Sequence, residues 1–144
     1  VADSSIMGVS MAGINFTYNL KKLQLRGVAI YTTLTNTQQY NAFAGAEAAK
    51  EILGYYGEIA YEFDLKQKDY LKLIPFVRYE NYDTHYSVDN NITKNKAYNR
   101  EEITIGAGLK LAPGAIFKAD YQLVTNGEQK HYTNILNLGF GYWF

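Results

Sequence analysis

Ten charged side chains recur at alternating positions in this chain: Glu58, Glu62, Lys72, Arg78, Glu80, Arg100, Glu102, Lys110, Lys118 and Asp120. Alternation places them on one face of extended segments. There they can pair across strands, or line a polar passage and set its preference for one sign of charge. Lys72, Arg78, Arg100, Lys110 and Lys118 would form an anion path with the carboxylates as partners. Ladder-like pairing with no meaning for a solute is the competing reading. Other chemistry is thin. The chain has two histidines, His85 and His131, and no cysteine, which excludes a disulfide framework and a thiol nucleophile. Both histidines fall in expected loops. With Asp83 they form either a surface metal site or ordinary solvated loop residues; no metal or cofactor is expected. No histidine lies on an expected strand beside a serine, which weighs against an enzyme of the Ser-His-Asp type. Asp89, Asn90 and Asn91 either touch Ca²⁺ or lipopolysaccharide, or form a plain polar turn.

The elements that must position these charges read as β-strands. Residues 8–20 set Ala12, Ile14, Phe16, Tyr18 and Leu20 against Gly13, Asn15, Thr17 and Asn19, a period of two. Lys21 and Lys22 make a tight turn into residues 23–34, whose alternation is weaker. Residues 35–51 form a long connection. Its second half, 42–52, is rich in helix formers and predicts a short helix, which either covers the outer surface or folds inward as a constriction. Residues 52–65 place Leu53, Tyr55, Ile59, Tyr61 and Phe63 opposite Glu58 and Glu62. A polar turn at 66–69 leads to residues 70–82. Pro75 lies inside this strand and cannot donate to a ladder. Parity is the same on both sides of it, so a local defect is expected rather than a break. Residues 83–99 read as a second long loop. Residues 100–111 and 115–124 are strands joined by Ala112-Pro113-Gly114, and a loop at 125–131 leads to the last strand, 132–144.

That last strand carries Leu136, Leu138, Phe140, Tyr142 and Phe144 on one face. A soluble chain usually ends in polar, frayed residues. Connections along the chain alternate between short and long, the pattern of outer-membrane barrels with tight periplasmic turns and longer external loops. About ten residues cross a roughly 25 Å apolar band at roughly 40° tilt, which suits these strands. Formal net charge is zero, so nothing points to nucleic acid. Fourteen tyrosines and two prolines suit β-structure and interfacial aromatic belts. The mean hydropathy of −0.27 fits a soluble protein and equally a membrane barrel, in which only alternate residues meet lipid. A soluble sandwich, with the greasy rows inside, is the competing arrangement. It would crowd Phe16, Tyr55, Tyr61, Phe63, Tyr79, Phe117, Tyr121, Phe140 and Tyr142 into a small interior.

Three stretches carry a family resemblance: I-P-F-V-R-Y-E-N-Y-D from Ile74, R-E-E-I-T-I-G-A-G-L-K-L-A-P-G-A-I-F-K-A-D-Y-Q from Arg100, and the terminal L-N-L-G-F-G-Y-W-F. Together they resemble the C-terminal part of outer-membrane porins of the phosphate-selective O and P type. The first 50 residues carry no such likeness. The resemblance implies a passive diffusion channel in the outer membrane of Gram-negative bacteria; the mixed charge departs from a strongly basic constriction. The expected fold is an all-β, transmembrane, antiparallel up-and-down β-barrel. Residues 1–144 would be the C-terminal seven strands of a larger even-stranded barrel, about 12 to 18 strands in all, with its N-terminal strands missing. The ten charges are the pore-lining candidates. Leu136, Leu138, Phe140, Tyr142 and Phe144 are the expected signal to the barrel-assembly machinery. Expected partners are the lipid bilayer, lipopolysaccharide, and a homo-oligomer or envelope complex. A non-conducting barrel subunit of such a complex is the alternative function.

Overall fold

A computed structural model describes residues 6–65, 69–129 and 131–144. The expected turn at 66–69 lies mostly outside these residues, as do the first five positions. The fold is an antiparallel up-and-down sheet. Its strands are β1 (Gly8–Leu20), β2 (Leu23–Thr35), β3 (Glu51–Tyr61), β4 (Phe63–Asp64), β5 (Lys72–Ser87), β6 (Asn99–Ala112), β7 (Ala115–Asn126) and β8 (Thr133–Tyr142), with one helix, α1 (Thr37–Ala44). Spatial order follows chain order, and β4 continues the line of β3 against β5. The sheet is open: β1 and β8 are its two edges.

Parity and register convert the alternating sequence into two faces. Tyr18, Leu25, Ile59, Val77, Ile105, Tyr121 and Leu136 are successive cross-strand partners, an unbroken apolar rung across the sheet. One residue away, Arg26, Glu58, Arg78, Thr104 and Gln122 make the equivalent rung on the other face. Among the described residues no second layer covers the apolar face. Ile14, Phe16, Ile59, Val77, Ile105, Leu136 and Phe140 all stay exposed on it, and among the described residues the buried apolar side chains are Ala49, Ala60 and Val124. A soluble sheet hides its greasy side against another element; this one does not.

Small residues shape the polar face. A Cβ at Gly106 would stand 2.8 Å from Phe76 Cε1 and 2.7 Å from the Ala119 carbonyl. Its absence lets Phe76 on β5 and Lys118 on β7 meet over β6, with Nζ 4.9 Å from the ring centroid. On the apolar face Phe16 lies over its cross-strand partner Gly27, an aromatic filling the gap that glycine leaves.

The expected strands are all present, with four differences in extent. First, the third strand is divided at Glu62, where the register with β5 is kept between Ala60↔Phe76 and Phe63↔Leu73. Pro75 lies in that gap without an N–H to offer, while the Glu62 N–H still bonds Lys22 O at 2.8 Å on the other side. β5 itself runs through Pro75 unbroken. Second, β5 extends to Ser87, so Asp83 and His85 stand on a strand rather than in a loop. Pairing with β3 continues as far as Glu51↔Ser87, across a register shift. Third, the helix occupies Thr37–Ala44 rather than 42–52. Gly45 takes φ 62° and ends it, and the Asn41 side chain then holds both the N–H and the carbonyl of Ala48, at 2.8 and 2.9 Å. Fourth, β8 ends at Tyr142, which leaves Phe144 beyond the strand; the Trp143 N–H bonds Gly114 O at 2.9 Å.

The two ends of the sheet are unlike. Tight links at 21–22 and 113–114 join strands at one end. At the other, residues 36–50 and 88–98 form longer connections, and residues 127–129 follow β7 there; Gly127 N bonds the Lys96 carbonyl at 3.1 Å.

Candidate functional site

The candidate site is the charged face. All ten alternating charges stand on it, because strands β2 to β7 pair even positions with even positions. The face is concave. A hollow of about 350 Å³ near the tight-link end is lined from β1 to β7, with Arg26, Glu58, Glu62, Phe76, Lys110 and Lys118 among its walls.

Ion pairing divides the face into levels. Nearest the tight links, Lys72 Nζ lies 2.5 Å from Glu62 and 3.7 Å from Asp64, and Lys110 lies 3.9 Å from Glu62. Lys22, in the β1–β2 turn, pairs with Asp64 at 2.6 Å, and that hydrogen bond holds its ammonium above the ordinary lysine value. At mid-height Arg26 lies 3.6 Å from Glu58. Arg78 is the register partner of Glu58, yet its guanidinium pairs along its own strand with Glu80 at 2.9 Å and stacks 4.0 Å over the Tyr56 ring. Toward the long connections Arg100 pairs with Glu102 at 2.8 Å, and Gln122 also hydrogen-bonds Glu102. Glu80 and Glu102 are direct cross-strand partners. Two carboxylates placed opposite each other repel, and the arginine two residues before Glu102 and the one two residues before Glu80 offset that repulsion. Asp120 accepts a hydrogen bond from Asn137 at 2.8 Å. Among the described residues Lys118 makes no ion pair; it sits over Phe76.

The arrangement presents paired cations and anions on one face, and among the described residues none of them is poised as a nucleophile–base pair. Such a surface can screen ions and polar solutes by charge. Three aromatics were missed as members of this face: Tyr56, Phe76 and Tyr82. Their even parity was the available signal, and the cations over them explain why they sit there. Arg100 lies 6.0 Å from the Tyr82 ring.

On the opposite face Leu136, Leu138, Phe140 and Tyr142 form the exposed row of the edge strand, each about two-thirds exposed (67–69%). Acidic residues also occupy odd positions on that side, Glu101 among them. Glu101 accepts hydrogen bonds from the Tyr79 and Tyr132 hydroxyls, both at 3.1 Å. The carboxylate bond raises the pKa of the Tyr132 phenol above its ordinary value.

The histidines do not come together as a metal site. His85 is 4% exposed, and both ring nitrogens are engaged by backbone groups, Glu47 O at 2.6 Å and Asn95 N at 3.2 Å. Among the described residues no group of three His, Cys, Asp or Glu side chains could hold a metal ion. Asp89 takes part in a turn whose carboxylate accepts from Thr37 Oγ1 at 2.6 Å. No protein-family model, curated protein or solved structure matches the chain.

Proposed function

We propose that this chain is part of an outer-membrane β-barrel porin, a passive diffusion channel for small hydrophilic solutes or ions. The observation that carries the reading is the inverted sheet: a broad, uncovered apolar face outward and a concave, ion-paired face inward. A membrane barrel has this arrangement, with lipid outside and water inside. Strand direction supports a larger barrel. Consecutive long strands are antiparallel, so β1 and β8 run the same way and cannot close on each other in antiparallel fashion. An odd number of further strands would close the ring with the even total of bacterial barrels. The free edge and greasy row of β8 are what the barrel-assembly machinery would recognise, and lipid and lipopolysaccharide would surround the outward face. The resemblance to phosphate-selective porins rests on the three stretches quoted above.

Planar-bilayer recording on the full-length protein tests this. Discrete conductance steps are expected, and Arg78→Glu should move the reversal potential in a salt gradient toward cation preference, because it replaces the cation beside Glu80 by a third carboxylate next to Glu58 and Glu80. A folded, inserted barrel that never conducts would overturn the porin reading in favour of a structural subunit.

A further inference from the structure

The long connections form a joined rim, and His85 is at its centre. The imidazole Nε2 lies 2.6 Å from Glu47 O in the segment after α1. A carbonyl only accepts, so Nε2 carries a hydrogen. The Asn95 N–H donates to Nδ1 at 3.2 Å, so Nδ1 presents a lone pair. One neutral tautomer alone satisfies both bonds. Asn95 in turn orders the 3₁₀ turn Lys96–Tyr98, accepting from Ala97 N at 2.9 Å. The Lys96 and Asn99 carbonyls both accept from Gly127 N, at 3.1 and 2.9 Å. A single ring therefore links the first long connection to the second, and through it to the third.

We propose that His85 is an acid-sensitive latch on this rim. A proton from water taken up at Nδ1 uses the lone pair that Asn95 needs and sets two N–H groups against each other. The Glu47 bond survives and the Asn95 bond is lost, which loosens residues 88–98 at Asn95 and leaves them held to β5 by Lys94, on Asp83 and the Tyr86 carbonyl. The ionisable groups around the ring favour release over recapture. On β5, Asp83 already accepts from His85 N at 2.8 Å and pairs with Lys94 at 2.8 Å, and Tyr86 carries Lys94 over its ring at 5.5 Å. The second connection brings Asp89, engaged by Thr37, together with Lys94, Lys96 and Tyr98, whose ring stands 4.9 Å from the imidazole. The segment before β3 brings Glu47 and Lys50, and β3 brings Glu51; the Lys50 N–H bonds Ser87 O at 2.9 Å. A second cation at His85 would compete with Lys94 for the buried Asp83 carboxylate. The latch is closed while the ring is neutral and opens when Nδ1 takes up a proton. The consequence for permeation rests on the porin reading; the latch itself does not.

The test places a nitroxide at exposed Thr93 through Thr93→Cys in the full-length protein, refolded in lipid vesicles. The expected spectrum is immobilised at pH 8, with a mobile component that grows severalfold at pH 5 and reverses on return. Asn95→Pro, which removes the donor at a backbone φ of −88°, should be mobile at both pH values. His85→Gln should lose the pH response. Superimposable spectra at pH 8 and pH 5, or a response that persists in His85→Gln, would overturn the latch. Conductance recorded in parallel separates the two ideas: a barrel that never conducts removes the porin, while the nitroxide alone judges the latch.

Discussion

At the scale of single residues, one missing side chain shapes the polar face. Gly106 leaves room for Phe76 to cross beneath Lys118. Gly106→Val would drive its side chain into the Ala119 carbonyl and the Phe76 ring, so it should cost about 1–3 kcal/mol of folding stability, read as an earlier urea midpoint of the full-length protein. Gly57→Val is the matched control. Nothing stands within 4 Å of a Cβ there, and the change should stay within about 0.5 kcal/mol. The ten charges were legible from parity alone, because a period of two decides which face each occupies. Their partners were not. Arg78 leaves its register partner Glu58 for Glu80 and Tyr56, a choice made by side-chain reach that no spacing encodes. Glu101 broke the pattern by standing among the apolar positions, held there by two tyrosine hydroxyls.

At the scale of elements, the tight turns and strand starts could be read wherever the apolar alternation was clean. Reading failed above the apolar band. Asp83 and His85 carry no greasy signal, yet β5 continues through them to Ser87, with ladder partners for Asp83 on β3 and β6 and for Ser87 on β3. The helix was misplaced for a related reason. Propensity favoured the alanines of 42–49, but Gly45 in the left-handed region and the Asn41 clamp on Ala48 end the helix first. Gly45→Ala should cost about 1–2 kcal/mol locally, the penalty for an L side chain in that conformation. Faster exchange of the Ala46 amide, which bonds Asn41 O at 3.2 Å, would show it, with no loss of membrane insertion. Pro75 acts on its neighbour rather than on its own strand, dividing β3 from β4. A reading confined to one strand at a time has no means to see that.

At the scale of the whole molecule, the porin proposal depends on the apolar face being the one that would meet hydrocarbon. The apolar rung through Ile105 and the polar rung through Gln122 lie at the same height, since Ile105 pairs with Tyr121 and Thr104 with Gln122. They differ only in the side of the sheet. The direct measurement is the free energy of folding of the full-length protein into lipid vesicles, by urea titration, for Ile105→Arg and Gln122→Arg. Ile105→Arg should lose about 2–4 kcal/mol, the cost of a cation on the lipid face near the midplane. Gln122→Arg, with Glu102 beside it, should lose less than about 1 kcal/mol. Equal costs, or a larger loss from Gln122→Arg, would contradict the assignment of the two faces.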